Sequence, residues 1–217
     1  MSEVVKSAAK RGRRSGDQAR ATRRRIIGAA TDLFVAQGYA ASTLEEVAAK
    51  AGVSVQTVYF HFSNKRTLLK EAVDLAAAGD DEPVALLERP FIQRIRDEPD
   101  PRRALAIWTD VSRSIFVRVA PIMQAVRDAA GADPEMADQW ATNQRQRATA
   151  HRVLAQLLAD KRALRPRLSV DRAADIIFAL ISPELYLLLT IQRGWTPAQW
   201  QRWITDTVAD AILRSSS

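Results

Sequence analysis

Residues 43–62 read TLEEVAAKAGVSVQTVYFHF, and the reading of this stretch decides the fold. Leu44, Val47, Ala48 and Ala51 recur at i, i+3, i+4 and i+7, which makes one apolar stripe along a helix. Thr43 stands where a cap belongs, with Glu46 three places on to return a bond to the cap's own N–H. Gly52 supplies, at low steric cost, the positive φ that ends a helix. Val53 is placed to tuck under the turn, and Ser54 caps a second helix. On that helix Val58 and Phe62 share one face, while Val55, Gln56, Tyr59 and Phe60 share another. One face can pack on Leu44 and Val47 while the other offers an amide, a phenol and an aromatic ring to a groove, as a recognition helix does. An ordinary helical hairpin with a merely solvated outer face fits the same residues.

The flanks narrow the choice. TDLFVAQGY (31–39) precedes the pair and SNKRTLL (63–69) follows it. Residues 20–69 resemble the DNA-binding end of the TetR (tetracycline-repressor) family, and the core GVS–xxTVYFHF–xxK is far more specific than a generic helix-turn-helix. The resemblance covers under a third of the chain. It implies a homodimeric, ligand-responsive transcription repressor that binds a double-stranded palindromic operator. It also implies contacts to the DNA backbone at Thr43, Thr57, Tyr59, His61 and Lys65, each of which carries a suitable donor here. Chemistry adds two base-reading candidates. Gln56 can pair bidentately with adenine N6/N7, and Val55 can meet a thymine methyl. Phe60 departs from a polar surface: it either stacks on sugar or methyl groups or packs on the first helix. Arg66 stands where the family more often has an acid, and adds a candidate phosphate contact.

Charge is unevenly placed. Residues 1–70 hold 13 Lys and Arg against 5 Asp and Glu, an excess of +8, while residues 71–217 hold 19 against 20. The whole net charge of +7 therefore sits with the motif, as a nucleic-acid footprint does. A membrane surface would attract it too, but the basic run lacks interleaved large apolar residues. The absence of Cys excludes a disulfide framework and a thiolate metal site, and fits the reducing cytoplasm. No apolar leader marks the N-terminus, so a cytoplasmic location is expected. His61 and His151 lie too far apart in sequence to suggest a metal or catalytic cluster. No G-x-S-x-G, HExxH or phosphate loop occurs, so neither catalytic residues nor a cofactor are expected. Two non-enzymatic rivals remain: a non-specific nucleic-acid packaging protein using its Arg-rich arm, and a helical dimer that binds only a small molecule. The charge excess argues against the second.

The rest of the chain reads as helices punctuated by proline, with no β-pattern. Residues 1–16, containing KSAAKRGRRSG, are expected to be a disordered basic arm, either a solubilising tail or one that lays Arg13 or Arg14 near the minor groove. Residues 17–37 form the first helix, buried through Ile26, Ile27, Ala30, Leu33 and Phe34, with Arg20, Arg23 and Arg24 near a flanking phosphate. Ser63 caps a fourth helix over 64–78. Inside it the DNA-binding domain (17–70) gives way to an effector-binding and dimerisation domain (71–217). Further helices are expected over 83–96, 102–119, 121–130, 134–160, 171–192 and 197–213, and the middle of 134–160, ATNQRQRATAH, is polar.

The helix over 171–192 is apolar nearly all round and must be covered on more than one side. It is short for a membrane span and contains Pro183 and Glu184. With the last helix it suggests a four-helix dimer interface through Ile177, Ile181, Leu188, Trp200, Ile204 and Val208, with Trp203 on the same face. A core within one chain is the other reading. Trp108, Ser112, Phe116, Met123, Trp140, Phe178 and Tyr186 are candidate lining for an effector cavity, with Thr109, Asn143 and Gln144 as polar partners, against plain core as the alternative. Near-neutral charge beyond residue 70 favours an uncharged or cationic apolar ligand. The fold class is all-α: a three-helix helix-turn-helix domain followed by a helical domain.

Overall fold

Capping chemistry sets the helix ends of the N-terminal part. The computed structural model describes residues 2–79 and 85–214, with only the backbone for residues 2–15. Helix α1 spans Ser2–Gln37 and stops at Gly38, whose φ is 84°. The helix thus continues back through the segment expected to be an arm, and the Arg13 and Arg14 side chains lie outside the described residues. Helix α2 (Leu44–Ala51) and helix α3 (Val55–His61) follow, then α4 (Lys65–Ala78). Asn64, not Ser63, caps α4: its Oδ1 accepts the Thr67 N–H at 2.8 Å, the bond that a cap makes three residues on. Ile26, Ile27, Ala30 and Phe34 of α1, Leu44, Val47 and Ala48 of α2, Val58 of α3 and Leu68 and Leu69 of α4 are all buried. The chain divides into two units, Met1–Ala72 and Val73–Ser217, with the join inside α4.

The second unit departs from expectation wherever proline was given the wrong weight. The helix expected over 83–96 is a short 3₁₀ turn, Leu86–Glu88, followed by α5, Pro90–Asp97; the expected start at Pro83 lies outside the described residues. Pro90 takes the first helical position and holds Arg89 extended at φ −74°, ψ 152°. Helix α6 runs unbroken over Pro101–Ala130, straight through Pro121, where two helices were expected. The missing N–H of Pro121 releases only the Val117 carbonyl, on a residue 49% exposed where water can take its place. Helix α7 is Pro134–Asp160. The single helix expected over 171–192 is broken into α8 (Val170–Leu180), α9 (Pro183–Leu187) and a π-turn over Leu188–Gln192. Ser182 caps α9, its Oγ accepting the Leu185 N–H at 3.1 Å. The stretch Val170–Gln192 is long and apolar enough to cross a membrane, yet it is divided at this cap and sends Ile177 and Ile181 into the core. Helix α10 (Pro197–Ile212) closes the fold behind a capping box of Thr196 and Gln199. An isolated antiparallel bridge joins Leu164 to Leu213, and no strand occurs among the described residues.

Burial corrects the assignment of the dimer surface. Ile177, Ile181, Trp200, Ile204 and Val208 are each 0% exposed within a single chain, packed with Leu105 and Trp108 of α6 and Leu154 and Leu158 of α7. No partner chain can reach them. Of that set only Leu188, at 43%, remains outside. Trp203 sits at the edge of the α10 stripe, 36% exposed, with its ring 5.7 Å from that of Trp195.

Candidate DNA-binding surface and effector cavity

The α2–α3 pair is held by its own backbone polarity. The Glu46 N–H donates to Thr43 Oγ1 at 3.1 Å, and the Thr43 N–H donates to Glu46 Oε2 at 2.9 Å. Gln37 Nε2 adds a bond to the same carboxylate at 3.1 Å, tying the end of α1 to the start of α2. Gly52 takes φ 64°, ψ 43°, and Val53 N–H returns to the Ala48 carbonyl at 3.0 Å, which closes the turn. Ser54 Oγ accepts the Thr57 N–H at 3.2 Å and starts α3.

Two residues anchor α3: Val58, 0% exposed, and Phe62, 1% exposed at the helix's C-cap. The outer face presents Gln56, Tyr59 and Phe60, the last 84% exposed. Phe60 therefore does not pack on α1. Its ring lies edge-on to His61, centroids 5.3 Å apart. Val55 and Thr57 are half-buried beside this face, with Thr57 Oγ1 2.9 Å from Ser54 Oγ. Thr43 keeps its hydroxyl in the capping box.

Two cations expected at phosphates do structural work. Lys65 Nζ donates to the carbonyls of Tyr39 and Ser42, at 2.8 and 2.9 Å, and sits 4.2 Å from the centre of the Tyr39 ring. It clamps the loop ahead of α2, and two of its three N–H donors are thereby used. Arg23 pairs with Glu71 at 2.6 Å and lies 5.1 Å from the centre of the Phe62 ring, so it braces α1 against α4 over the anchor of α3. Arg20 pairs with Asp17 at 2.8 Å on an exposed turn.

The second unit encloses a cavity of about 560 Å³. Phe116, Val119 and Met123 of α6 form one wall, Asn143, Gln144, Arg147 and Ala150 of α7 another, and Val73 and Ala77 of α4 close it with Leu86, Leu87 and Pro183. Of the residues assigned from sequence, Phe116 and Met123 line it, with Asn143 and Gln144 as polar groups. Trp108, Ser112 and Tyr186 are instead buried core. Thr109 bonds Thr205 at 2.6 Å inside that core. Trp140 and Phe178 belong to two separate depressions. Arg147, Val119 and Ala150 were missed. The polar run in the middle of α7 was the available signal, since a polar stretch inside an otherwise buried helix needs something polar or hollow to face.

Behind the wall, Arg147 closes the gap between α8 and α9. Its Nη1 donates to the Phe178 and Ile181 carbonyls, both at 3.4 Å, and lies 3.9 Å from Glu184 Oε2. Its Cζ stacks 3.9 Å over the Phe178 ring centre. Burial lowers the Arg147 pKa from its ordinary value, and Glu184 opposes the shift. His151, one turn on, is 3% exposed between Trp108 and Phe178, with no hydrogen bond at either ring nitrogen. Burial holds its pKa down to about 3, with the Arg147 charge pushing the same way. A neutral His151 is thus a packing residue. Among the described residues no cluster could hold a metal ion.

Residues 26–72 match the family model of bacterial regulatory proteins, tetR family. The uncharacterized HTH-type transcriptional regulator TtgW of Pseudomonas putida is 47% identical over 58 residues, which take in 27% of this chain and 43% of that protein. The match thus spans less than half of that relative's length. Two solved structures share the fold. SmeT, the repressor of the Stenotrophomonas maltophilia multidrug efflux pump SmeDEF, superimposes in its triclosan complex with TM-score 0.69 at 21% identity, over 90% of this chain and 93% of that one. NalD, the secondary repressor of the MexAB-OprM multidrug efflux pump in Pseudomonas aeruginosa, gives TM-score 0.67 at 22% identity, over 92% of this chain and 100% of that one. The match to the tetR family of bacterial regulatory proteins thus lies in the N-terminal domain, over the helix-turn-helix, while the likeness of the whole chain to these solved structures is one of fold.

Proposed function

We propose that this chain is a cytoplasmic, sequence-specific transcriptional repressor that binds a palindromic operator as a homodimer and is released by a small ligand. The observation that carries the reading is α3, anchored by Val58 and Phe62 while Gln56, Tyr59 and Phe60 face outward. The unit that holds α3 also carries the whole positive excess of the chain. Affinity would come first from phosphates and sequence choice from Gln56 and Val55. The dimer surface we assign to apolar groups left outside the core: Leu188, Ile191 and Trp203, flanked by the half-buried Ile176 and Leu180. A two-fold dimer requires half-site centres about 34–36 Å apart or a multiple of that.

The cavity is the effector site in this reading, and the triclosan complex of SmeT supports a small apolar occupant. Helix α4 contributes Val73, Asp74, Ala77 and Ala78 to the cavity and continues back into the DNA-binding unit. Arg118 of α6 holds its last turn, Nε donating to the Ala76 carbonyl at 2.9 Å while Nη1 is braced on the Ser114 carbonyl of α6 itself at 2.6 Å. A ligand wedged against α6 therefore acts on α4. It must bind the two states unequally, since moving a population from 1:99 to 99:1 takes about 5.5 kcal/mol of difference.

The test is selection of bound DNA from a random pool, at fixed salt with unrelated DNA as competitor. A palindrome should emerge. Gln56→Ala should relax one position per half-site by about 1–3 kcal/mol. An unchanged sequence preference would remove Gln56 from base reading, and no enriched sequence at all would favour non-specific packaging.

A further inference from the structure

The cavity wall is apolar through Leu86, Phe116, Val119 and Ala150, and the Arg147 guanidinium is set into it with donors unused. The Arg147 side chain is 15% exposed. Only one end of its guanidinium is committed inside the protein: Nη1 carries both long carbonyl bonds and the distant approach to Glu184. The other edge is not. Nε is buried without a hydrogen-bond partner, and Nη2 donates to no group among the described residues. Nη2 is not among the buried unpaired atoms either, so it belongs to the accessible part of a side chain that lines the cavity. Nη2 is thus the donor group of the guanidinium left to meet a ligand oxygen, and a carboxylate oxygen suits it. Asp74 and Arg89 face the same cavity, and each is engaged elsewhere in the protein.

We infer that the effector is an organic anion, an apolar chain or ring ending in one carboxylate, whose headgroup is held by Nη2 of Arg147. The inference rests on the cavity being the effector site. It reverses the uncharged or cationic ligand suggested by composition beyond residue 70, because net charge averages over a surface whereas the wall presents one particular group. A buried cation with unused donors is costly, and a carboxylate placed there relieves that cost only when it is bound. With Asp74 and Arg89 engaged elsewhere, the Arg147 guanidinium beside the apolar side chains of the wall suits one negative charge on a hydrophobic body. The cavity volume, about 560 Å³, falls within the range that small-molecule sites occupy.

The test is calorimetric titration of the full chain with dodecanoate and with dodecanamide, each below its micelle-forming concentration. Dodecanoate should bind at least about tenfold more tightly, the value of one added charge-assisted pair. Arg147→Gln should bring the ratio to about one. Glu184→Gln, which removes the competing carboxylate, should raise dodecanoate affinity and leave dodecanamide unchanged; it keeps the test decisive if Arg147→Gln does not fold. Equal binding of the two probes to the wild-type chain would overturn the anion preference and leave the effector cavity standing. Binding of neither would overturn both.

Discussion

Phe60 and Phe62 are the same residue type two positions apart, one 84% exposed and the other 1%. Truncating each to Ala separates the anchored face of α3 from the offered face. Phe62→Ala removes one of the two buried anchors of the recognition helix and leaves a cavity, at about 3–5 kcal/mol. The Arg23 guanidinium, 5.1 Å from the ring centre, adds a cation–π term of about 0.5–1 kcal/mol at so exposed a site. The unit is Met1–Ala72, and at about 0.05–0.15 kcal/mol per residue its stability is on the order of 4–11 kcal/mol. The substitution therefore takes a large fraction of the stability of the DNA-binding unit. At about 4–8 °C per kcal/mol, its melting transition should fall by roughly 12–40 °C. Phe60→Ala should leave that transition unchanged within about 0.5 kcal/mol and weaken binding to selected DNA. The assay is thermal circular dichroism alongside mobility shift, with size-exclusion chromatography reporting assembly. Phe62→Ala should lose DNA binding while the second unit stays folded and associated. Wild-type melting of Phe62→Ala, or equal destabilisation by both variants, would refute the two-faced assignment.

Three further outcomes are expected. Leu188→Glu combined with Trp203→Glu should give a helical monomer by analytical ultracentrifugation that no longer holds the palindrome, whereas Ile204→Glu should unfold the second unit; a persisting dimer in the double variant would move the interface elsewhere. His151, with its folded pKa about 3 and an unfolded value near 6.5, refuses a proton that the unfolded chain accepts. Its contribution is complete above pH of about 6.5 and is lost as pH falls toward 3, at about 1.4 kcal/mol per pH unit. His151→Gln should flatten the acid limb of a stability–pH curve by one proton, and an unchanged slope would contradict the buried neutral ring. Gly79→Ala meets both a φ of +80° and the Arg118 Nη2, 2.8 Å from the added Cβ. It should destabilise the chain by at least about 1 kcal/mol in denaturant unfolding and blunt release of DNA by a bound effector, and wild-type behaviour in both would dismiss the Arg118 grip.

The parts legible in the amino-acid sequence are those whose cause lies within a few residues. Thr43 and Glu46 form the capping box, Gly52 takes the left-handed turn, and Ser54 starts α3, each as its spacing requires. The burial of Leu44, Val47, Ala48, Val58 and Phe62 follows from helical periodicity alone. Pro134 and Pro197 open helices because a missing N–H does no harm there.

Tertiary structure decided what these local rules leave open. Pro121 broke nothing, because exposure of the preceding turn lets water replace the lost bond. Pro183 did break its helix, and Arg147, distant in sequence, supplies donors to the carbonyls beside the gap. The charge of Lys65 is legible in the sequence, whereas only the fold brings the Tyr39 and Ser42 carbonyls within reach of two of its donors. An all-round apolar helix states that it must be covered and not which surface covers it. Trp200, Ile204 and Val208 are core rather than interface, since α6 and α8 of the same chain cover them. Likewise a bulky aromatic reads the same whether it fills a core or borders a hollow; Trp108 and Phe116 take opposite roles because helix packing leaves space beside only the second.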